Sequence, residues 1–206
     1  MKVRVAIVCL ALVSFSHGRA DAEIIIDMEE IGGDVVVSSA GGEFDLTGLT
    51  FLFSVNSGFG NGLVDPSGSN APAVVFGVAP VLSDFYGLNG EITGPTSFGT
   101  GGFAFADSGT GIQFGAIFDS FGGIHNFTLP NLYVSGDTLG AASSTYSGAT
   151  FASLGLTPGT YVWDWGSNDP NTSLTLNIIG TPEPTSFAMF GVVCAMMTPR
   201  RRRSRA

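Results

Sequence analysis

Residues 23–184 contain neither lysine nor arginine, and no other feature of the sequence constrains the fold as strongly. The basic residues of the chain lie near its two ends, at Lys2, Arg4, Arg19, Arg200, Arg201, Arg202, Arg203 and Arg205. The central segment holds every one of the 17 acidic residues except Asp21, so its formal charge is close to −16. Ion pairs between side chains are therefore nearly impossible there. The fold must rely on apolar burial, backbone hydrogen bonds or bound metal.

The acidic surface that follows from this composition restricts the possible partners. A surface without cations repels phosphate backbones and anionic lipids, so nucleic acid is not an expected partner. Both cysteines, Cys9 and Cys194, lie in apolar runs near the ends of the chain. The central segment therefore has no disulfide and no thiol chemistry.

Short apolar runs alternate with clusters of glycine, serine, asparagine and aspartate throughout residues 23–180. We find no stretch with the apolar stripe of an amphipathic helix. Apolar runs separated by turn-forming residues indicate strands joined by tight turns. The sequence therefore predicts an all-β fold, with one β-sandwich-like domain of jelly-roll or similar type over residues 23–180.

The predicted strands begin with a hairpin, residues 23–29 and 34–38, around a turn at Gly32 and Gly33. Residues 44–53 are predicted as one strand with a bulge at Gly48, and residues 56–70 as a loop. Residues 103–105 and 111–118 are predicted to pair through a turn at 107–109. The other predicted strands cover residues 73–78, 81–86, 127–134, 150–154, 160–165 and 173–179.

The last two predicted strands show the clearest alternation. Aromatic side chains share one face of the first strand and aliphatic side chains one face of the second: Tyr161, Trp163 and Trp165 against Leu174, Leu176 and Ile178. We expect these faces to pack as a wall of the core. A sugar-stacking surface is the alternative role for the two tryptophans.

The first 22 residues have the three parts of a secretion signal. Basic residues come first, an apolar run follows over residues 5–15, and the small residues Ala20 and Ala22 flank Asp21. Small residues in this spacing precede a cleavage site. We therefore expect residues 1–22 to be a signal peptide that is removed after Ala22.

Residues 181–206 also have three parts in a fixed order. Pro182, Glu183 and Pro184 keep the backbone extended, and a mostly apolar run covers residues 185–197. Four arginines follow, at Arg200, Arg201, Arg202 and Arg203, and basic residues beside an apolar segment stay on the cytoplasmic side of a membrane. The run is shorter than the ~20 residues of a spanning helix, so we expect a short hydrophobic sorting helix that contacts the membrane transiently.

This tail, after an N-terminal secretion signal, resembles the PEP-CTERM sorting signal of bacterial exported proteins. The resemblance implies recognition by exosortase, a membrane-bound cysteine transpeptidase-like enzyme. It also implies a final location that is secreted, at the cell surface or in the outer envelope. Exosortase substrates as a family are associated with exopolysaccharide, which makes extracellular polysaccharide a further implied partner.

A second resemblance lies within residues 133–176. Four phrases are similar to a recurrent ectodomain of PEP-CTERM proteins: Tyr-Val-Ser-Gly at 133–136, Leu-Thr-Pro-Gly-Thr-Tyr at 156–161, Trp-Asp-Trp-Gly at 163–166 and Ser-Leu-Thr-Leu at 173–176. This resemblance implies a secreted β-rich surface domain. It adds no activity.

Catalytic chemistry finds little support in the sequence. His125 is the one histidine of the central segment, its glycine-rich surroundings predict a loop, and no Gly-x-Ser-x-Gly elbow surrounds a serine. A pair of carboxylates for glycoside hydrolysis stays open, because any two of the acids can meet in the fold. We expect no catalytic residue and no enzymatic activity.

Calcium is the one cofactor that the sequence raises. Asp164, Asn168 and Asp169 surround a tight turn, and such hard oxygens suit Ca²⁺, although the same residue types are ordinary in turns. A second oxygen-rich segment, residues 56–70, contains Asn56, Asn61 and Asp65.

The sequence thus favours an exported envelope or extracellular-matrix protein that binds no cofactor. A calcium-dependent or carbohydrate-binding module is the alternative, and a hydrolase ranks third.

Overall fold

The computed structural model describes residues 23–56, 58–67, 72–88, 93–120, 124–165 and 172–180. Strands dominate these ranges, with a single helical turn among them. In chain order the elements are β1 (Glu23–Ile31), β2 (Asp34–Ser39), β3 (Gly42–Glu43), β4 (Leu49–Asn56), β5 (Gly62–Asp65), β6 (Ala73–Phe76), β7 (Leu82–Leu88), β8 (Ala104–Phe105), β9 (Ser108–Thr110), β10 (Phe114–Ser120), β11 (Ile124–Pro130), β12 (Thr138–Leu139), β13 (Ala142–Tyr146), α1 (Phe151–Leu154), β14 (Gly159–Asp164) and β15 (Ser173–Ile179).

Two large sheets contain most of these strands. The first has the order β14-β15-β1-β2-β13-β9, and the second has the order β4-β7-β11-β10-β6-β5-β8. β12 and β3 form a separate short ladder. Each of these orders is that of an open sheet with two edge strands among the described residues. The prediction of an all-β fold is confirmed.

The predicted first hairpin is present as β1 and β2. Gly32 and Gly33 have φ angles of +66° and +96°, the left-handed pair that a two-residue turn of matching twist requires. Buried and half-buried residues alternate along β2, with Val35 and Val37 in the core. The pleat of the strand therefore divides the consecutive valines 35–37 between the inner and outer faces of the sheet.

The first and last described strands lie side by side. β1 and β15 run parallel, with Glu23 beside Ser173 and Glu29 beside Ile179. On its other edge β15 pairs antiparallel with β14, as predicted. The chain thus enters the sheet at one end of these two strands and leaves it at the other.

Apolar side chains from both large sheets share one core. Ile26 and Leu176 come from the six-stranded sheet, and Phe76 and Phe127 come from the seven-stranded sheet; all four are fully buried. A smaller cluster, Leu63, Ala73 and Val75 with Phe59 and Ile117 packed against it, lies on the opposite face of the seven-stranded sheet.

The prediction of a strand at residues 150–154 is wrong. Thr150 Oγ1 accepts a hydrogen bond from Ser153 N at 3.0 Å, and Ser153 Oγ accepts one from Thr150 N at 2.8 Å. This reciprocal capping box starts α1, and Gly155 ends it in the left-handed conformation at φ +65°. Local capping therefore outweighs the strand preference of these residues.

The predicted pairing of residues 103–105 with 111–118 is also wrong. β8 pairs with β5, and β10 pairs with β6 and β11. The predicted turn between them contains β9, which joins the other sheet by pairing with β13. Both β9 and β13 are made of small and polar residues, so no apolar run marks them.

Residues 44–53 are not one strand. A turn closed by a 2.9 Å hydrogen bond from Leu49 N to Leu46 O separates β3 from β4. The register irregularity in β4 lies between Phe51 and Phe53, not at Gly48. The predicted loop at residues 56–70 contains β5, a short strand buried along its whole length.

Candidate functional site

The two tryptophans lie in the core, each 1% exposed. Trp163 stacks on Phe118 with 4.3 Å between ring centroids, and Trp165 stacks on Phe44 with 4.8 Å. Each indole N–H donates to a backbone carbonyl, at 2.9 Å and 3.3 Å. The core interpretation is confirmed, and neither ring is available for sugar stacking. Tyr161, expected inside with them, is only half-buried on the edge strand β14.

Of the three residues expected to hold calcium, only Asp164 is described. It is exposed at the end of β14, where its backbone exchanges hydrogen bonds of 3.1 Å and 2.9 Å with Thr93. Asn168 and Asp169 lie outside the described residues. Within the described ranges, no group of three or more His, Cys, Asp or Glu side chains is placed to hold a metal ion.

The oxygen-rich segment at 56–70 has separate contacts for its three candidate residues. Asn56 ends β4, and the Asn61 amide donates to Asp107 O at 3.0 Å. Asp65 is fully buried, and its Oδ1 accepts from both N and Oγ of Ser67 at 3.1 Å. The Asn61 and Asp65 side chains thus contact different partners.

His125 lies in the strand β11 and not in the predicted loop. Its ring centroid is 6.3 Å from that of Phe118. The residues of the two terminal signals all lie outside the described residues: Ala20, Ala22, Pro182, Glu183, Pro184, Arg200, Arg201, Arg202 and Arg203.

An open groove of about 480 Å³ provides the candidate site. Its walls come from β4, from β7 and from the segment 131–134, which follows β11. The lining residues are Phe51, Ser54, Asp84, Tyr86, Asn131, Leu132, Tyr133 and Val134. We refer to this site as the Asp84 groove.

Asp84 joins the two walls of the groove. Its Oδ1 accepts hydrogen bonds from Ser54 Oγ at 2.6 Å and Asn131 Nδ2 at 2.9 Å, and its Oδ2 accepts one from Leu132 N at 2.9 Å. Burial raises the pKa of Asp84, but these three hydrogen bonds outweigh burial and hold the pKa below its ordinary value. The groove therefore contains an ionised carboxylate at neutral pH.

Apolar groups form the rim of the groove. Phe51, Leu132 and Val134 are 52%, 81% and 62% exposed, and the Phe51 ring packs edge-on against Tyr86 at 5.8 Å. Leu132 has φ +62°, which is unfavourable for a residue with a side chain. The hydrogen bond from its N–H to Asp84 holds it in this conformation and keeps its side chain at the rim.

Tyr133 fixes the far wall. Its hydroxyl accepts a hydrogen bond from Phe44 N at 2.8 Å and donates to Asp137 O at 2.5 Å. Burial raises the pKa of Tyr133, the Phe44 N–H lowers it, and the carboxylates of Asp137, Glu43 and Asp45 raise it further. The net shift is upward, so the phenol stays neutral and keeps its hydrogen-bonding role.

A second carboxylate network anchors the same wall. Asp45 Oδ1 accepts from Thr47 N at 2.9 Å, Thr47 Oγ1 at 2.8 Å and Ser135 Oγ at 2.8 Å. Burial raises the pKa of Asp45, and the hydrogen bonds from Thr47 and Ser135 outweigh burial and lower it. The wall behind residues 133–135 is thus held by side-chain hydrogen bonds from both directions.

This arrangement combines an apolar rim with a few oriented polar groups, the usual pattern of a small-ligand site. The rim can pack against an apolar ligand face. Asp84 is 3% exposed and already accepts three hydrogen bonds, so it holds the two walls in place. It is the one acid among the described lining residues, whereas glycoside hydrolysis requires two carboxyl groups.

Local sequence patterns indicate only part of this groove. The Tyr-Val-Ser-Gly phrase marks the segment with Tyr133 and Val134. Asp84 and Ser54 meet only because of the register of β4 with β7, which pairs them across 30 residues of sequence. No local sequence pattern predicts that Ser54 and Asp84 lie side by side.

Comparison with protein-family models, curated proteins and solved structures gives no match to this chain. As to a membrane span, none of the helical structure in the described ranges has the length and apolar character to cross a bilayer.

Proposed function

We propose that this chain is an exported envelope or extracellular-matrix protein without enzymatic activity, sorted by a PEP-CTERM-type tail. Residues 181–206 carry the proposal, because they combine Pro182, Glu183 and Pro184 with an apolar run and four arginines. The last described strand ends at Ile179, so the sorting motif follows it closely in the sequence. The expected signal cleavage after Ala22 likewise falls directly before β1.

The domain between these signals is proposed to be a β-sandwich of jelly-roll or similar type. The stacked rings of Phe118 and Trp163, which come from different large sheets, support face-to-face packing. An exosortase-type enzyme is the proposed processing partner. Extracellular polysaccharide or the cell surface is the proposed final location.

Replacement of Pro182, Glu183 and Pro184 by alanine tests the sorting proposal. In an exosortase-bearing host, we expect the variant to accumulate unprocessed with the membrane fraction, since the recognition peptide is lost. Val162→Ala, on an exposed position of β14, is the matched control and should be sorted normally. The proposal is contradicted if the variant reaches the wild-type surface fraction with the wild-type C-terminal mass.

Cleavage of the signal is tested by N-terminal sequencing of the exported protein. We expect the mature chain to begin at Glu23. A mature N-terminus upstream of Ser16 contradicts the proposed signal peptide.

Binding of a neutral saccharide in the Asp84 groove is the second candidate function. The specific observation is the combination of Phe51 and Leu132 at the rim with the ionised Asp84 between the walls. Aromatic and apolar side chains pack on the C–H face of a sugar. Asp84, which is 3% exposed, holds the rim segment in position through its hydrogen bonds from Asn131 and Leu132. An anionic polysaccharide is disfavoured by the acidic surface.

A glycan array with and without calcium separates these functions. We expect binding to neutral glycans that is independent of calcium and is lost in Phe51→Ala. Phe103→Ala is the matched control, because Phe103 is similarly exposed at 59% and does not line the groove. Equal loss in both variants, or no binding by the wild type, removes the saccharide proposal and leaves the sorting proposal standing. Binding that requires calcium supports the calcium-dependent module, and release of hydrolysed product supports the hydrolase.

A further inference from the structure

The two large sheets leave four edge strands in the described structure, and they differ sharply in length and charge. β8 has two residues and β9 has three. β14 has six, but it ends in the acidic Asp164, whose backbone is already hydrogen-bonded to Thr93. β4 has eight residues and forms the remaining edge.

β4 lacks the features that usually protect an edge strand. Its sequence, Leu-Thr-Phe-Leu-Phe-Ser-Val-Asn, contains no charged residue and no proline, and charges or prolines are what normally block edge pairing. Phe51 and Phe53 are 52% and 43% exposed. Phe53 stacks on Phe85 of the neighbouring strand β7 at 5.0 Å, so the apolar edge is held in an ordered conformation.

We propose that β4 pairs with β4 of a second copy of this chain, antiparallel across a two-fold axis. A closed dimer with one self-complementary interface requires such an axis, and a two-fold axis perpendicular to the sheet makes the two strands antiparallel. The pairing joins two seven-stranded sheets into one continuous sheet.

The distribution of charge favours a second copy over a cationic partner. A cationic protein gains most from exposed carboxylates, whereas β4 has no charged residue of its own and the neighbouring Asp84 is only 3% exposed. Two like-charged copies approach best where neither carries a charge. The long, uncharged edge is such a place.

The shared negative charge of the two copies predicts how salt affects the dimer. Repulsion between two acidic copies opposes the dimer, so screening strengthens it, with a screening length of about 30 Å at 0.01 M salt and about 3 Å at 1 M. Association with a cationic partner weakens with salt instead. The proposal does not rest on the sorting or saccharide-binding functions.

A charge-swap experiment on the full chain tests the proposal. Thr50 and Val55 do not line the Asp84 groove. Their partners on β7 are Gly87 and Ser83, an even number of positions apart, so both side chains lie on the same face of the sheet. In antiparallel pairing centred on Phe53, Thr50 of one copy lies opposite Val55 of the other. The two double variants are T50E/V55E and T50K/V55K, and the dissociation constant of each alone and of their mixture is measured by analytical ultracentrifugation.

We expect each double variant alone to dimerise at least about tenfold more weakly than the wild type, and the mixture to form a heterodimer of near wild-type affinity. Recovery in the mixture also shows that both variants are folded. The controls T160E/V162E and T160K/V162K place the same charges on the edge strand β14 and should keep their homodimers. Mixing T50E with T50K, which meet only in parallel pairing, should restore less than mixing T50E with V55K.

Three results overturn the proposal. The first is a wild-type chain that stays monomeric at about 1 M salt, where screening is nearly complete. The second is a pair of β4 variants that dimerise as well as the wild type, which locates the interface elsewhere. The third is an equal effect of the β14 controls, which shows a response to net charge alone.

Discussion

Phe118 of β10 and Trp163 of β14 stack almost face to face, with ring centroids 4.3 Å apart and ring planes 12° apart. The two residues belong to different large sheets, so this contact ties the sheets together at the centre of the core. Trp163 also donates its indole N–H to Pro95 O at 2.9 Å. One side chain therefore holds both sheets and a connecting segment in place.

Trp163→Ala should lower the free energy of unfolding by about 3–5 kcal/mol, because it leaves a large cavity between the sheets. Val162→Ala is the control. Val162 is the preceding residue of β14 and is 39% exposed, so this change should alter the free energy of unfolding by less than about 1 kcal/mol. Denaturant unfolding of both variants measures the difference. A loss below about 1 kcal/mol for Trp163→Ala contradicts the packing role.

Stability should fall in acid through the carboxylates of Asp45 and Asp84. The pKa of each is lowered in the folded protein by hydrogen bonds, so the unfolded chain takes up protons first as the pH falls below about 4. The stabilisation is complete above the unfolded pKa and is lost as the pH falls through the lowered folded pKa. Thermal melts between neutral pH and about pH 2 should show a weaker acid response in Asp84→Asn than in the wild type. An unchanged response contradicts the role of Asp84.

Two tyrosines should respond oppositely to loss of the hydroxyl. Tyr146 is 3% exposed, burial raises its pKa, and its buried hydroxyl has no hydrogen-bond partner among the described residues. Tyr146→Phe should therefore stabilise the fold by about 1 kcal/mol, because it removes an unsatisfied polar group. Tyr133→Phe, which removes a hydroxyl with partners, should destabilise it by about 1–2 kcal/mol. Destabilisation by Tyr146→Phe contradicts the assignment of its hydroxyl as unpaired.

The melting temperature should rise with salt, equally for NaCl and KCl. Residues 23–184 carry 16 of the 17 acids and no Lys or Arg, so the carboxylates repel one another at low ionic strength. The comparison runs from about 10 mM to about 500 mM salt. A constant melting temperature contradicts this expectation.

Calcium binding is a separate prediction. If Asp164, Asn168 and Asp169 hold Ca²⁺, millimolar calcium should raise the melting temperature even in high NaCl, since binding to the folded state stabilises it by about 2.7 kcal/mol at 100 times the dissociation constant. Asp169→Ala should abolish this increment. The absence of a calcium response in high NaCl leaves the acidic turn with a structural role alone.

The parts of the fold that local sequence predicts are alternating strands and short apolar runs bounded by turn residues. β15 has its predicted bounds, and β1, β2 and β14 lie close to theirs. Alternation indicates β14 and β15, and the apolar runs on either side of Gly32 and Gly33 indicate β1 and β2. The two consecutive glycines likewise predict the turn at Gly32 and Gly33. The short connection between β14 and β15 predicts that these strands pair.

The elements that local sequence does not predict have a different physical cause in common. β13 carries Ala142, Ser144 and Tyr146 inward, and its small polar residues give no apolar signal even though Ser144 is fully buried. α1 depends on the reciprocal capping of Thr150 and Ser153, a four-residue pattern inside a stretch that otherwise favours strand. The Asp84 groove depends on contacts between distant segments, which a single sequence does not encode locally.

The parallel arrangement of β1 and β15 has a mechanical consequence. Seven register pairs join the two strands, from Glu23 beside Ser173 to Glu29 beside Ile179. Tension applied at Glu23 and at Ile179 pulls the strands along their length in opposite directions, so it loads these pairs together in shear. An antiparallel hairpin pulled from its two free ends instead opens one pair at a time. A domain tethered through its C-terminal side and strained from its N-terminal side is therefore built to resist force.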